Sequence, residues 1–166
     1  MDSGSNGNNI GPQPTLNLPA TRLDIRDDFP DGLRRVRCRL RGRYVALTPE
    51  EWVRQHFVAY LVDCLGYPAP LLANEVPITL NGTSRRCDTV LYSTDALAPR
   101  LIVEYKAPHI PITQKTFDQI VRYNMVLRVP WLMVSNGLSH YCCHIDYSTT
   151  PAKVRFVDRI PAYSEL

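Results

Sequence analysis

The sequence predicts one domain of the α/β (α+β) class, in which a central mixed β-sheet is flanked by helices. The first observation is composition, because 166 residues with 45% apolar and 21% charged side chains are typical of a globular domain with a single core. The second is the order of patterns, which reads as a helix, three strands, a second helix and further strands. The apolar runs are only a few residues long, far below the roughly 20 that cross a membrane, so no membrane partner is expected.

Residues 1–20 are rich in Gly, Asn, Ser and Pro, and they contain few large apolar side chains to offset the entropy lost on ordering. We therefore expect a disordered or extended tail at 1–20 and a single domain at 21–166. The start of the chain lacks the basic and apolar regions of a signal peptide. Since the five cysteines also lack the regular spacing of a secreted disulfide framework, a cytoplasmic location is expected.

Basic residues alternate with small or apolar ones between positions 35 and 43. This period of two predicts a strand that carries five guanidinium groups on one face. The five are Arg35, Arg37, Arg39, Arg41 and Arg43. Such a stripe could contact nucleic-acid phosphates, or it could equally keep an exposed edge strand soluble.

A helix is predicted to begin after Thr48 and to stop at Gly66. Thr48 is expected to cap it, with Pro in the first turn and Glu51 closing a capping box. At 100° per residue, Glu50 lies in line with the apolar stripe that faces the sheet, whereas Glu51 is displaced to its edge. We therefore expect Glu50 to point into a site and Glu51 to serve the cap. Alternatively, both acids only favour the positive N-terminus of the helix.

The remaining chain alternates between strand and helix patterns. Residues 75–80 and 86–92 are predicted to form a hairpin around Asn81 and Gly82, a pair favoured in two-residue turns. The other predicted elements are a strand at 100–106, a helix at 113–127, a buried strand at 131–135 and two strands at 138–146 and 153–160.

The chemistry is concentrated near the end of the strand at 100–106. Glu104 and Lys106 are two residues apart and should therefore project from the same face. Charged groups are rarely placed in a core strand unless they are paired or bind a metal. Asp88, in the preceding strand, could lie alongside Glu104. Two carboxylates and a lysine predict a site of hard oxygen ligands suited to Mg²⁺.

Asp88, followed after fifteen intervening residues by Glu104, Tyr105 and Lys106, resembles the PD-(D/E)xK nuclease superfamily. Cys87 stands where the superfamily pattern has proline. More specifically, the chain resembles the N-terminal nuclease domain of type I restriction enzyme R subunits, in a small stand-alone form. That resemblance covers roughly residues 45–146 and is carried by the segments 48–55, 65–67, 85–88, 102–108 and 135–137.

The resemblance implies a restriction-endonuclease-like core and a DNA endonuclease that depends on Mg²⁺, with Mn²⁺ able to substitute. It implies that Asp88 and Glu104 hold the metal together with the backbone carbonyl of Tyr105. Glu50 would contact the metal directly or through water. Lys106 would orient the attacking water and stabilise the charge that grows on the phosphate.

Further side chains are candidates for contact with DNA. Phosphate contacts are expected from Arg85, Arg86, Arg37, Arg39 and Arg41. Gln119 and Tyr123, one helical turn apart, resemble the Gln-x-x-x-Tyr signature of a related branch that includes the RecB family, and could reach the rim of the cleft. The alternative is that Tyr123 is partly buried core and Gln119 is solvated.

The expected partner is therefore DNA. Cutting both strands with one small site favours a homodimer. The chain has no phosphate-binding Gly-x₄-Gly-Lys-Ser/Thr loop, so translocation would require a separate motor subunit. Target choice would fall to a separate specificity subunit. The alternative from another class is a non-catalytic nuclease fold that binds nucleic acid or assists assembly. An acid pair facing a phosphate argues against that alternative, because its charge would weaken DNA binding without metal.

Overall fold

The structure, a computed structural model, describes residues 11–95 and 98–166, apart from the side chains of Leu80, Tyr123, Met125 and Val126. Its helices are α1 (Pro49–Ala59), which continues into a π-helical turn (Tyr60–Cys64), and α2 (Gln114–Leu127), and short 3₁₀ turns lie at Ala69–Leu71 and Tyr163–Glu165. Its strands are β1 (Ile25–Arg26), β2 (Arg35–Cys38), β3 (Arg43–Ala46), β4 (Leu72–Leu80), β5 (Thr83–Tyr92), β6 (Pro99–Tyr105), β7 (Trp131–Ser135), β8 (His140–Asp146) and β9 (Lys153–Val157).

The main sheet contains β4 to β9 in chain order. Neighbouring strands are antiparallel except for β6 and β7, which run parallel and are connected through α2. The strands β1 to β3 form a separate antiparallel sheet. The prediction of an α+β domain with a central mixed sheet is confirmed. Among the described residues, no helix has the length and apolar content needed to traverse a lipid bilayer.

The two helices pack on opposite faces of the main sheet. On one face, Val53 and Phe57 of α1 pack in the same cluster as Val103 of β6. On the other face, Phe117 of α2 packs with Ile102, the adjacent residue of β6. Because consecutive strand residues point to opposite faces, β6 is covered on both sides. Its buried apolar residues therefore make it a rigid support for the charged residues near its end.

The predicted hairpin is confirmed, and it contains a local irregularity. Pairing continues to the turn, where Asn81 and Gly82 both have positive φ (48° and 75°). Glu75 also has positive φ (56°), and the pairs on either side of it place it opposite Asp88. Thr89 hydrogen bonds to Tyr105 in the α1-side core, whereas Cys87 packs in the α2-side core. Residues two apart on a strand ordinarily share a face, so the hairpin changes face at the position of Glu75 and Asp88.

The arginine stripe is not one strand, so that prediction was wrong. The chain turns between β2 and β3, and Gly42, at φ 65°, allows the left-handed backbone that this turn requires. The arginines are consequently distributed over two strands and a turn. Arg39 binds Asp63 at 2.8 and 2.9 Å, and Arg41 points instead toward Glu51.

The segment expected to be a loose tail is partly packed. Residues 1–10 lie outside the described part of the chain. Leu16 and Leu18 pack against the α1-side core, and the backbone N–H of Asn17 donates to the carbonyl of Gly137 at 2.8 Å. These two leucines are the large apolar groups that allow a Pro- and Asn-rich segment to lie against the domain.

Candidate active site

The start of α1 brings two acids to the end of the sheet. The Thr48 hydroxyl accepts a hydrogen bond from the Glu51 N–H at 3.0 Å, so the predicted N-cap is confirmed. The Glu51 carboxylate does not close a capping box. It accepts hydrogen bonds from Arg54 at 2.5 Å and Gln55 at 2.7 Å, and the residue is only 6% exposed.

The expected burial of the two acids was therefore reversed. Glu51 is buried because Arg54, Gln55 and Arg41 together satisfy and neutralise its carboxylate, which offsets the cost of removing the charge from water. Glu50 remains 44% exposed at the rim, with its carboxylate 3.6 Å from Arg54. Partial burial, followed by the charge of Asp88, raises the pKa of Glu50. Glu50 thus faces the same site from its solvent side.

Asp88 lies where the pairing of β5 with β6 stops, next to the pair formed by Thr89 and Val103. Its Oδ2 atom accepts a hydrogen bond from the backbone N–H of Tyr105 at 2.8 Å. Its Oδ1 atom accepts one from Arg54 at 3.0 Å. Burial raises the pKa of Asp88, and these two donors oppose that shift. The carboxylate is therefore held between α1 and the end of β6.

Glu104 and Lys106 lie close enough to Asp88 for their charges to interact with its carboxylate. The Lys106 ammonium donates to Glu104 Oε1 at 3.2 Å, and both side chains are less than one third exposed. Burial, and then the charge of Asp88, raise the pKa of Glu104 to about 7. A carboxyl group whose pKa is raised by burial and by a neighbouring acid is typical of a functional site.

These groups meet the chemical requirement for Mg²⁺ only in part. Asp88 and Glu104 supply hard carboxylate oxygens in a partly buried, negatively charged setting, and this donor set fits the ion. In the part of the chain that the structure describes, no three His, Cys, Asp or Glu side chains are arranged to hold a metal. The Arg54 guanidinium lies among the acids and contacts Asp88 directly.

Sequence reasoning missed Glu75. Its carboxylate lies 2.8 Å from Arg54 and 3.6 Å from the exposed Arg86. We call Glu50, Glu75, Asp88 and Glu104 the acid cluster. A signal was present in the sequence, because a two-residue turn at Asn81 and Gly82 sets a register in which residues 75 and 88 stand opposite each other.

Two concave surfaces border the acid cluster. One, of about 270 Å³, lies between the hairpin and α2 and is lined by Arg85, Arg86, Glu104 and Gln119 among others. The other, of about 590 Å³, lies toward β3 and the start of α1, and its lining includes Arg41, Arg43, Arg86, Glu50 and Glu75. Cations from separate elements thus surround the acids on both sides.

The other candidate DNA contacts divide into two groups. Gln119 is exposed on α2 and lies at the rim of the first cavity, with Glu104, whereas the side chain of Tyr123 lies outside the described part of the structure. Arg37 and Arg39 line a different groove, together with Asp24. The structure therefore brings Gln119 to the acid cluster but not these two arginines.

Comparison with known proteins gives one family match. Residues 49–161 match the family described as "Type I restriction enzyme R protein N terminus". No curated protein matches the sequence. The match takes in α1, the acid cluster and all of the main sheet.

Similar solved structures include two proteins. One is described as a fragment of "a putative HsdR subunit of a type I restriction enzyme" from Vibrio vulnificus YJ016, at 22% identity and a TM-score of 0.52, and the match covers 72% of this chain. It covers 24% of the Vibrio chain, so this protein corresponds to about a quarter of that length, and the likeness shows the fold. The other, "a putative nuclease belonging to DUF820" from Anabaena variabilis, has 12% identity and a TM-score of 0.44, and covers 75% of this chain and 82% of that one.

Proposed function

Because the chain belongs to the family of type I restriction enzyme R protein N termini, we propose that it is a metal-dependent endonuclease that hydrolyses phosphodiester bonds in DNA. The observation that carries the proposal is the convergence of Asp88, Glu104 and Lys106 at the end of β6. Two carboxylates and an ammonium in a partly buried cleft are suited to phosphoryl-transfer chemistry.

We propose Mg²⁺ as the cofactor, with Mn²⁺ able to replace it. Asp88, Glu104 and the backbone carbonyl of Tyr105 would hold the ion, and Glu50 would contact it directly or through water. Such an ion lowers the pKa of bound water and polarises a phosphoryl oxygen. The hydrogen bond from the Tyr105 N–H orients one oxygen of Asp88, which leaves the carboxylate plane fixed relative to β6.

Lys106 has a separate role in this proposal. Its ammonium is held by Glu104 at 3.2 Å and would donate to the attacking water or to a non-bridging phosphate oxygen. A fixed positive charge in a partly buried cleft stabilises the negative charge that develops during hydrolysis. Lys106 would thus orient the nucleophile and stabilise the transition state.

The arginines around the clefts would bind the DNA backbone. Arg86 borders both concave surfaces, while Arg41 and Arg43 border the larger one. Such contacts are independent of sequence and weaken with salt, because binding releases counterions. We propose DNA as the partner, a homodimer for cutting both strands, and separate motor or specificity subunits. With that substrate, the protein would act in the cytoplasm.

A second function is favoured by one observation. Both carboxylate oxygens of Asp88 already accept hydrogen bonds from the protein, from Tyr105 and Arg54. A nuclease fold that binds nucleic acid or assists assembly without cleaving it would tolerate this arrangement. In that case the acid cluster would serve to hold α1 against the sheet.

The two functions are separated by incubating plasmid and branched DNA with Mg²⁺ or Mn²⁺. We expect cleavage by the wild-type protein and its loss in Asp88→Ala and Lys106→Ala. Equal residual activity in all three proteins would indicate a contaminating nuclease and would support the non-catalytic function. Circular dichroism of each variant would show whether it is folded.

A further inference from the structure

The guanidinium of Arg54 occupies the centre of the acid cluster. Its Nη2 atom lies 2.8 Å from Glu75, 3.0 Å from Asp88 and 3.6 Å from Glu50. These acids come from β4, β5 and α1, so three separate elements direct carboxylate oxygens at one nitrogen. A point that attracts this many carboxylates is a position where the fold favours a cation.

Contacts on the side of the guanidinium away from Asp88 and Glu75 also hold Arg54 in this position. Its Nη1 atom binds the buried Glu51 at 2.5 Å, and its guanidinium carbon lies 5.7 Å from the centre of the Tyr105 ring. The side chain is 4% exposed, yet its Nε atom is buried without a hydrogen-bond partner among the described residues. Burying a positive charge and an unsatisfied N–H donor both cost free energy. The carboxylates around Nη1 and Nη2 offset this cost by neutralising the guanidinium.

Glu75 reaches Arg54 through an unusual backbone. Its φ of 56° is uncommon for a residue other than Gly, Asn or Asp, and such conformations are energetically unfavourable. They persist where the surroundings demand them, and they concentrate at functional sites. Here the conformation accompanies the change of face in the hairpin that brings Glu75 and Asp88 to the same nitrogen.

The acid cluster and Glu51 together bring five carboxylates to this end of the sheet, with cations paired to them. The described carboxylates are Glu50, Glu51, Glu75, Asp88 and Glu104, and the cations paired with them are Arg41, Arg54, Arg86 and Lys106. Of those cations, Arg86 is 72% exposed and is therefore strongly screened by solvent. One guanidinium shared between Asp88 and Glu75 leaves both incompletely neutralised, so an added cation would be attracted to Asp88.

We propose that Arg54 is a tethered counter-cation which competes with the divalent metal for Asp88, and that Glu75 is a positioning residue which retains the guanidinium when the metal binds. The inference rests on the proposed function, because it takes Asp88 as a metal ligand. When the ion reaches Asp88, Arg54 gives up that contact and keeps Glu51 and Glu75. Without Glu75, the guanidinium would bind Asp88 more strongly and exclude the ion.

The test is the affinity for Mn²⁺ alone, measured by calorimetry and by electron paramagnetic resonance on the full chain without DNA. Arg54→Gln should bind Mn²⁺ about ten-fold more tightly than wild type, since a positive charge next to Asp88 is removed. Glu75→Gln should bind it about ten-fold more weakly. Glu165→Gln is the matched control, because it removes an acid of the same type from an exposed ion pair with Arg159 outside the acid cluster.

The double variant Arg54→Gln with Glu75→Gln separates positioning from direct ligation. If Glu75 acts through Arg54, the double variant should bind Mn²⁺ within about two-fold of Arg54→Gln. An equally large loss in both backgrounds would make Glu75 a direct ligand and would overturn the positioning role. Should Arg54→Gln fail to fold, a Mn²⁺ affinity of Glu75→Gln equal to that of Glu165→Gln still overturns the inference.

The same titrations distinguish this inference from the proposed function. If wild type binds Mn²⁺ and Arg54→Gln binds it no more tightly, competition by Arg54 is refuted while the metal site stands. If wild type binds no Mn²⁺ and Arg54→Gln does bind it, Arg54 excludes the ion from Asp88 in the wild-type protein, which supports competition. If neither protein binds Mn²⁺, the metal-dependent function and the competition are both refuted.

Discussion

The Oδ2 atom of Asp88 lies 2.8 Å from the backbone nitrogen of Tyr105, and it accepts that N–H in place of a ladder hydrogen bond. This contact lies just beyond the last pair formed by β5 and β6. It fixes an acid of β5 at the end of β6, next to the residue that follows Glu104 in the sequence. The catalytic arrangement proposed for this protein therefore depends on the point at which two strands separate.

Asp88→Asn should abolish cleavage while leaving the fold intact. The amide keeps an oxygen to accept the Tyr105 N–H, but its NH₂ group cannot accept from Arg54, and it lacks the charge that would hold the metal. The rate of plasmid nicking at saturating Mg²⁺ measures the effect. Asp146→Asn is the control, because Asp146 is an acid at the end of β8 that hydrogen bonds Ser148 instead. Cleavage by Asp88→Asn at the wild-type rate would refute the metal-ligand role.

Lys106→Met should reduce the cleavage rate by about 100-fold or more without weakening the binding of Mn²⁺. The methionine keeps most of the aliphatic length but removes the ammonium that faces Glu104. Single-turnover rates and Mn²⁺ titration separate the two effects. Lys115→Met, at the exposed start of α2, is the matched control. A parallel loss of metal affinity would mean that Lys106 acts by organising the carboxylates.

The metal-free protein should lose stability as the pH rises from about 4.5 to about 7. Glu104 has a pKa of about 7 in the fold against 4.5 for the free side chain, so over this range the folded state binds more protons than the unfolded state. The free energy of unfolding then falls with pH, by at most about 1.4 kcal/mol per pH unit for one group. The raised pKa values of Asp88 and Glu50 act in the same direction.

Urea unfolding at a series of pH values checks this expectation. Glu104→Gln should flatten the profile between pH 4.5 and 7, because the amide does not titrate. An unchanged slope in this variant would show that Glu104 is not the group responsible.

Leu16→Ala should destabilise the domain by about 1 to 2 kcal/mol, less than the loss of a fully buried leucine, because Leu16 is only partly buried against the core. Thermal unfolding measures the change. Leu138→Ala, which alters a leucine that is 44% exposed, should have a much smaller effect. Equal effects of the two substitutions would show that the segment around Leu16 contributes no packing of its own.

Much of the fold could be predicted because it depends on local patterns. The Asn81 and Gly82 turn, the helix start at Thr48 and the strand before Glu104 each follow from neighbouring residues. The spacing of Glu104 and Lys106 likewise places them together without knowledge of the rest of the fold. The same two-residue turn would also have identified Glu75, had the register been counted back to Asp88.

Other features could be decided only by tertiary contacts. Helical periodicity ranked Glu50 as more buried than Glu51, but it could not anticipate that Arg41 and Arg54 converge on Glu51. The arginine alternation predicted one strand, although a left-handed turn at Gly42 divides it.

The sequence by itself determined the order of helices and strands and the presence of the acid and lysine on one strand. The tertiary structure decided which acids are buried, which remain exposed and which share Arg54. The physical reason is that secondary structure depends on contacts a few residues apart, whereas the burial of a charge depends on partners that the fold brings from distant segments.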